Sequence, residues 1–199
     1  MKEFFTEYVR ENVEKAIRET PTPGMDGTEL TLQFKITGET GYKYCLKITG
    51  GRNLDLIEGG IPRPMIEVEM SEADWRDGMS QAGELGGALI NQMLEASRIA
   101  VNRKNYDFLK AVSGRIEVEV VRPGQPPARS VTRLNQAEAP AATVVISLED
   151  LAAIFRGETN SQIAFMSGKI KVKGDIGFLL KLAGLAPAGM KGRGKNSKQ

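Results

Sequence analysis

The feature that most constrains the fold is a set of short segments in which apolar and polar residues alternate. Segments 30–36 and 42–48 alternate with period two, and residues 38–41, with a glycine at each end, separate them. Alternation sends successive side chains to opposite faces of a strand, so the two segments predict a β-hairpin. Segments 54–57 and 65–70 continue the pattern. Together the four segments predict an antiparallel sheet with one face exposed to water.

Segments with helical spacing lie before and after this first group of strands. Residues 3–18 place apolar side chains three to four positions apart, which predicts an amphipathic helix that ends before Pro21 and Pro23. Residues 84–112 show the same spacing and predict a second helix. A second group of strands follows, predicted at 115–121, 130–134 and 142–147.

One junction between a strand and a helix occurs twice. Residues 68–75 and 144–151 both run from a strand to a serine, with an acid three residues later and then a large apolar residue. Such a serine caps a helix by accepting a hydrogen bond from the backbone three residues on. We interpret the two junctions as a weak internal repeat, each copy preceded by strands and a helix. A coincidence between two common junctions is the alternative.

Composition limits the chemistry that the chain can perform. It contains no histidine, and its single cysteine, Cys45, lies in the alternating segment 42–48 as a small apolar residue. The usual general base, the commonest metal ligand and histidine-activated nucleophiles are therefore missing. The acids that follow Ser71 and Ser147 fall in the first turn of predicted helices, where negative charge is favoured. The sequence thus predicts no catalytic residues, no cofactor site and no metal site.

Hydropathy and cysteine usage indicate where the protein works. No run approaches the roughly 18 apolar residues that cross a bilayer. The charged residues Arg10, Glu11 and Glu14 do not fit the apolar core of a secretory signal. A single cysteine fits a reducing compartment. We expect a cytoplasmic protein.

The end of the chain carries a concentrated positive charge. The formal net charge is +2, and residues 191–198 contain four cations and no anion, so the remainder is net negative. A nucleic-acid-binding domain should instead carry its positive charge on a folded face. We predict that 187–199 form a disordered basic tail, with a solubilising terminus as the plain interpretation. The alternative is contact with anionic membranes through Lys191, Arg193, Lys195 and Lys198.

Three motifs follow one another between residues 147 and 185. They are Ser147-Leu-Glu-Asp-Leu-Ala-Ala-Ile-Phe-Arg-Gly157, Ala164-Phe-Met-Ser-Gly-Lys-Ile-Lys-Val-Lys-Gly-Asp175, and Gly177 to Leu185. In this order they resemble the C-terminal part of the sterol carrier protein family. That part has a capped helix, a short helix ending in Ser-Gly-Lys, a strand alternating lysine with aliphatic residues, and a final apolar helix. Residues 3–80 also resemble the family's N-terminal portion in layout.

The resemblance implies an α+β fold in which helices cover an antiparallel sheet of mixed strand lengths. This chain departs from an ordinary member because residues 81–146 stand between the first capped helix and the Ser-Gly-Lys strand. It is therefore either a degenerate tandem of two copies or one domain with a long insertion. In the tandem interpretation, 1–80 form an N-terminal sterol-carrier-like half, 81–186 a second copy, and 187–199 the tail.

The resemblance also implies an apolar tunnel that holds a fatty-acyl, sterol-like or isoprenoid chain. The final helix is apolar nearly all round, so it must be buried or must cover something apolar. We expect lipid-contacting side chains on the capped helix, the short helix and the final helix. They are Leu151, Ile154, Phe155, Phe165, Met166, Ile176, Phe178, Leu179, Leu180 and Leu182.

Two other functions remain open at this point. An accessory or scaffold protein with this fold could present a hydrophobic intermediate to partner enzymes, and the additional segment 81–146 favours it. An enzyme acting on an acyl thioester would need a nucleophile–base pair, which the sequence does not show. The sequence therefore predicts a non-catalytic lipid carrier, with the scaffold as the alternative.

Overall fold

The computed structural model describes residues 4–19, 22, 24–80 and 102–183. These ranges contain eight strands, which form one sheet. In chain order they are β1 (Glu29–Thr37), β2 (Tyr42–Thr49), β3 (Asn53–Glu58), β4 (Ile66–Ser71), β5 (Gly114–Val121), β6 (Ala128–Leu134), β7 (Ala141–Ser147) and β8 (Ile170–Gly174). The spatial order is β3-β2-β1-β4-β6-β5-β7-β8.

Six α-helices accompany these strands in the described ranges. They are α1 (Arg10–Glu19), which continues a π-helical turn over Phe4–Val9, α2 (Glu72–Ser80), α3 (Arg103–Ala111), α4 (Leu148–Phe155), α5 (Ser161–Met166) and α6 (Ile176–Ala183). None of the six is long and apolar enough to span a membrane. Of the helix predicted over 84–112, only the last part is confirmed, as α3. The prediction of one continuous helix is wrong at Asn102, whose backbone is extended and whose side chain caps the start of α3. Residues 81–101 and the tail lie outside the described residues.

The sheet is mixed, which corrects the expectation of a wholly antiparallel sheet. β1 pairs antiparallel with β2 but parallel with β4, and β5 pairs antiparallel with β6 but parallel with β7. The α+β fold class is confirmed. The direction of pairing escaped prediction because side chains alternate with the same period in parallel and antiparallel strands.

The two groups of strands, β1–β4 and β5–β8, have equivalent pairing. Each group starts with an antiparallel hairpin, and its first strand pairs parallel with the strand that leads to a serine-capped helix. β4 and β6 pair antiparallel and join the groups into one sheet. This equivalence agrees with the internal repeat predicted at 68–75 and 144–151. The division of the chain into two copies stays a prediction.

Both predicted helix caps are confirmed. Ser71 Oγ accepts a hydrogen bond from the Asp74 backbone N–H at 3.0 Å, and Ser147 Oγ accepts one from the Asp150 N–H at 3.0 Å. Each serine hydroxyl also donates to the side chain of the same aspartate, at 2.9 Å and 2.7 Å respectively. The cap therefore fixes both the start of the helix and the position of its carboxylate.

The main apolar core lies over the first group of strands. Phe5 stacks between Tyr44 and Trp75, with ring centroids 4.7 Å and 5.3 Å away, and all three residues are buried. The core reaches the second group through residues such as Ala142 and Phe178. The apolar face of the first group is thus filled by its own aromatic side chains.

The opposite face of the sheet is polar and is crossed by ion pairs. Glu69 Oε2 lies 3.1 Å from Lys35 Nζ and 2.9 Å from Arg133 Nη1, so one carboxylate connects β1, β4 and β6. Burial alone would raise the pKa of Glu69, but hydrogen bonds and charge from Lys35 and Arg133 outweigh it and lower the pKa. The contact between Glu69 and Arg133 crosses the boundary between the two groups of strands.

Candidate functional site

The predicted lipid-contacting residues lie on three helices over the second group of strands. α4 contacts β5 and β7, α5 contacts β8, and α6 contacts β7. β7 and β8 are antiparallel, with Ile146 opposite Ile170 and Ala142 opposite Gly174. α4 follows the end of β7 and α5 precedes β8, so both lie near Ile146. α6 follows β8 and therefore lies at the other end, near Ala142.

Three valines form a strip between these two ends, which we call the valine floor. Val118, Val144 and Val172 lie in register on β5, β7 and β8. All three side chains are partly buried. The residues that flank Val144 on the same face of β7 are Ala142 and Ile146, which are only 4% and 3% exposed. The sheet is therefore closed over at both ends of β7 and more accessible between them.

Phe178 anchors α6 to the end of the sheet. Its ring packs on Gly114, where an added Cβ would lie 2.8 Å from Phe178 Cε2 and 2.7 Å from the Pro140 carbonyl oxygen. Gly114 also has a φ of 149°, which side chains disfavour. Asp175 Oδ1 accepts a hydrogen bond from the Phe178 N–H at 2.8 Å and fixes the first turn. Only glycine at position 114 leaves room for this ring.

The two sides of α6 have different surroundings. Phe178 is 3% exposed, and Leu179 and Leu182 are partly buried against the core. Ile176 and Leu180 are 44% and 65% exposed. The inner side of the predicted final helix is therefore core, and its outer side is free to meet a ligand or another surface.

The predicted residues on α4 and α5 also separate by exposure. Leu151, Ile154 and Phe155 on α4 are partly buried. Phe165 and Met166 on α5 are 42% and 79% exposed. Four of the ten predicted site residues are thus exposed side chains in this structure, and a lipid-contacting role for the ten stays a prediction.

Sequence reasoning missed four apolar residues of this region. Alternation places all three residues of the valine floor on one face of the sheet. Val144 lies two positions from the buried Ala142 and Ile146, and Val118 and Val172 lie in register with Val144. Ile163 on α5 is 55% exposed. The helical spacing around it carried no signal that an apolar residue would face outward.

An ion pair ties α4 to the start of β8. Asp150 Oδ1 lies 2.7 Å from Lys169 Nζ. Hydrogen bonds from Lys169 and then Ser147 lower the pKa of Asp150, and the same bond raises the pKa of Lys169. In the first group of strands the equivalent acid, Asp74, is paired with Arg122 at 3.3 Å. Each capped helix is thus held by a cation from a later part of the chain.

A groove of about 450 Å³ opens where α3 meets α6. Its lining includes the side chains of Phe108 and Val112, Pro140, and Phe178 and Lys181 of α6. Its volume lies within the range of small-molecule sites, which are mostly apolar with a few polar groups.

The side chains of the valine floor and of the ten predicted positions are all apolar. They are aliphatic, aromatic or thioether groups, whose interaction with a guest would come from removing apolar surface from water. Within the described ranges, no group of three or more Cys, Asp or Glu residues is placed to hold a metal ion.

Comparison with known proteins decides the family. The profile of the SCP-2 sterol transfer family matches residues 90–187. The sterol carrier protein domain 2 of Helicoverpa armigera is 30% identical, over 42% of this chain and 72% of that chain, with a TM-score of 0.32. The chain belongs to the SCP-2 sterol transfer family. Membership supports a lipid-binding or lipid-transfer role, and the matched residues include the second group of strands with its valine floor.

Two further solved structures are similar to this SCP-2 family member. Sterol Carrier Protein-2 like-3 from Aedes aegypti is 17% identical, over 47% of this chain and 92% of that chain, with a TM-score of 0.32. Palmitated SCP2L2 from Aedes aegypti is 13% identical, over 90% of this chain and 91% of that chain, with a TM-score of 0.24. Comparison with curated proteins gives no match.

Proposed function

We propose that this protein is a non-catalytic lipid carrier that holds a fatty-acyl, sterol-like or isoprenoid chain on the valine floor, beside α4, α5 and α6. One observation carries the proposal. Val144 remains partly exposed between Ala142 and Ile146, which are buried on the same strand face. An apolar guest at this position would complete the burial of Val118, Val144 and Val172.

The energy of such binding comes from the length of the chain that is buried. Each buried methylene contributes about 0.8 kcal/mol, which is about a fourfold gain in affinity. We therefore expect affinity for saturated fatty acids to rise by about fourfold per methylene and then to level off. The length at which it levels off measures the apolar length of the site.

The experiment is a competition titration with a fluorescent fatty acid against a series of unlabelled fatty acids. Val144→Thr keeps the side-chain shape but places a hydroxyl on the valine floor, so we expect about tenfold weaker binding. The control is Val145→Thr, which makes the same change on the polar face of the same strand, where Val145 is also partly buried. Equal affinity in the two variants, or no saturable binding of any chain length, contradicts the proposal.

One observation supports the alternative, accessory function. The apolar face of the first group of strands is filled by Phe5, Tyr44 and Trp75, so this group has an aromatic core where a second lipid would lie. In the alternative proposal this group contacts enzymes that use the bound lipid. Native mass spectrometry of the purified protein separates the two functions: a co-purified lipid supports the carrier, and a stoichiometric protein partner supports the accessory function.

A further inference from the structure

Two hydroxyl groups lie on the apolar face of the sheet, both on β6. Ser130 is in register with Val118 of the valine floor, and Thr132 is in register with Ile116. Directly opposite residues of antiparallel strands point to the same face, with their Cβ atoms about 5 Å apart. Both side chains are partly buried, and neither makes a side-chain hydrogen bond to another described residue. β6 therefore offers two hydroxyls beside the proposed lipid site.

The registers of the two groups of strands match the first of these hydroxyls to a position in the first group. β4 and β7 both lead to a cap serine, so Val68 and Val144, each three residues before that serine, are equivalent. Across β1, Val68 is in register with Tyr44 on β2. Across β5, Val144 is in register with Ser130 on β6. Ser130 is therefore the equivalent of Tyr44.

The equivalent positions of the first group hold large side chains that fill its core. One step of alternation beyond the first pair, Leu46 is the equivalent of Thr132. Tyr44 and Leu46 are 1% and 4% exposed, and the Tyr44 ring stacks on Phe5 with centroids 4.7 Å apart. Serine and threonine are smaller, so the side chains of β6 fill less of the space above the sheet than those of β2 do. The second group thus has small hydroxyl side chains where the first has an aromatic core.

The hydroxyls have no cation beside them on the same face of β4 to β8. The basic residues of these five strands all point to the opposite face; they are Arg115, Arg129, Arg133, Lys171 and Lys173. An ionised carboxylate loses far more free energy than a neutral group when it leaves water for an apolar surface without a cation. A neutral hydroxyl, in contrast, can accept a hydrogen bond from one side chain and donate one to the other. This face therefore fits a lipid whose polar group is uncharged.

We propose that Ser130 and Thr132 form the polar end of the lipid site and select a lipid with an uncharged hydroxyl group over an ionised fatty acid. The proposal rests on the carrier function proposed above and adds the class of ligand. The hydroxyl of the lipid hydrogen-bonds both side chains, and its apolar part runs across Val118, Val144 and Val172, which lie in register toward β8. Three strand spacings, about 14 Å, separate Ser130 from Val172.

The experiment is a competition titration against the fluorescent fatty acid, at a pH where fatty acids are ionised. The competitors are hexadecanol, cholesterol and hexadecanoic acid. At least one of the two hydroxyl lipids should bind the parent protein more tightly than the acid does, and the tighter one identifies the source of the hydroxyl. Ser130→Ala with Thr132→Val removes both hydroxyls and keeps the site apolar. Affinity for the preferred hydroxyl lipid should fall by about 25-fold, at about fivefold per hydrogen bond, while affinity for the acid stays unchanged.

The matched control is Thr143→Val, which removes a hydroxyl from the opposite face of β7, where Thr143 is also partly buried and in register with Glu117. It should bind all three lipids as the parent does. The proposal is overturned, and the carrier function stands, if the variant without the β6 hydroxyls binds the hydroxyl lipid like the parent or loses affinity equally for the acid. Absence of saturable binding of every lipid overturns both.

A second variant, Ser130→Tyr, tests the space above β6. It places on β6 the residue that the first group has at the equivalent position, so the ring should occupy the proposed site. Affinity for all three lipids should fall at least tenfold, without a lower unfolding midpoint. A lower midpoint would indicate that side chains already fill this space. That result, or lipid binding like that of the parent, overturns the proposal.

Discussion

Truncation of two side chains on α6 separates core packing from ligand contact. Phe178 is 3% exposed and fills the space above Gly114, so Phe178→Ala should lower the free energy of unfolding by about 3–5 kcal/mol. For a domain of this size each kcal/mol corresponds to about 2–4 °C in Tm, and the variant should melt roughly 10 °C lower. Leu180 is 65% exposed, so Leu180→Ala removes little buried surface and should cost less than about 1 kcal/mol.

The assay combines urea unfolding with the fluorescent fatty-acid titration on the same preparations. If the outer side of α6 meets the lipid, Leu180→Ala should lose about tenfold in affinity with an almost unchanged unfolding midpoint. Phe178→Ala should lose stability first, and its affinity should fall only as far as α6 is displaced. Equal loss of stability in the two variants would show that α6 is core on both sides. Normal affinity in Leu180→Ala would remove Leu180 from the site.

Gly114→Ala provides an independent check on the position of Phe178. The added Cβ would meet both the ring and the Pro140 carbonyl, and the backbone φ of 149° disfavours it, so the variant should be destabilised. Combining Gly114→Ala with Phe178→Ala removes the ring clash but leaves the other two effects. The double variant should therefore be more stable than the sum of the single changes predicts, and strict additivity would contradict this packing.

Three more predictions concern single side chains. Burial raises the pKa of the Cys45 thiol to about 11, with the charge of Glu29 adding to it, so a thiol reagent at pH 8 should label native protein far more slowly than urea-unfolded protein. The Arg122 side chain is only 10% exposed and pairs with Asp74, so Arg122→Met should cost about 1–3 kcal/mol in urea unfolding, whereas Lys169→Met at the exposed equivalent pair should change little. The pKa of Glu69 is lowered in the folded protein from its ordinary value of 4.5, so its stabilising contribution is present above that value and is lost as the pH falls below it. Glu69→Gln should therefore show less acid sensitivity in its unfolding midpoint.

Local patterns predicted the elements of this fold well, because each depends on residues close in sequence. Alternation at 30–36 and 42–48 is confirmed as β1 and β2, and the serine–aspartate spacing is confirmed at both caps. Pairing direction depends on how distant segments meet, and it was predicted wrongly for β1 with β4. Exposure on α5 and α6 likewise depends on tertiary contacts, so an apolar residue such as Leu180 gave no sign in the sequence that it would remain exposed.

The pairing of β4 with β6 bears on why the second group of strands is the better candidate for the lipid site. In the first group, β3 covers the outer edge of β2, whereas in the second group β4 occupies the corresponding position beside β6. The pairs from Ile66 with Leu134 to Met70 with Ser130, and the ion pairs at Glu69, therefore hold the two groups in one sheet. The first group contributes an aromatic core and the strand β4, which pairs with the second group. The second group contributes α4, β8 and α6. A first group held in this way leaves the second free to keep its apolar face incompletely filled, because β5 and β7 beneath the valine floor have neighbouring strands on both sides and β8 is held by β7.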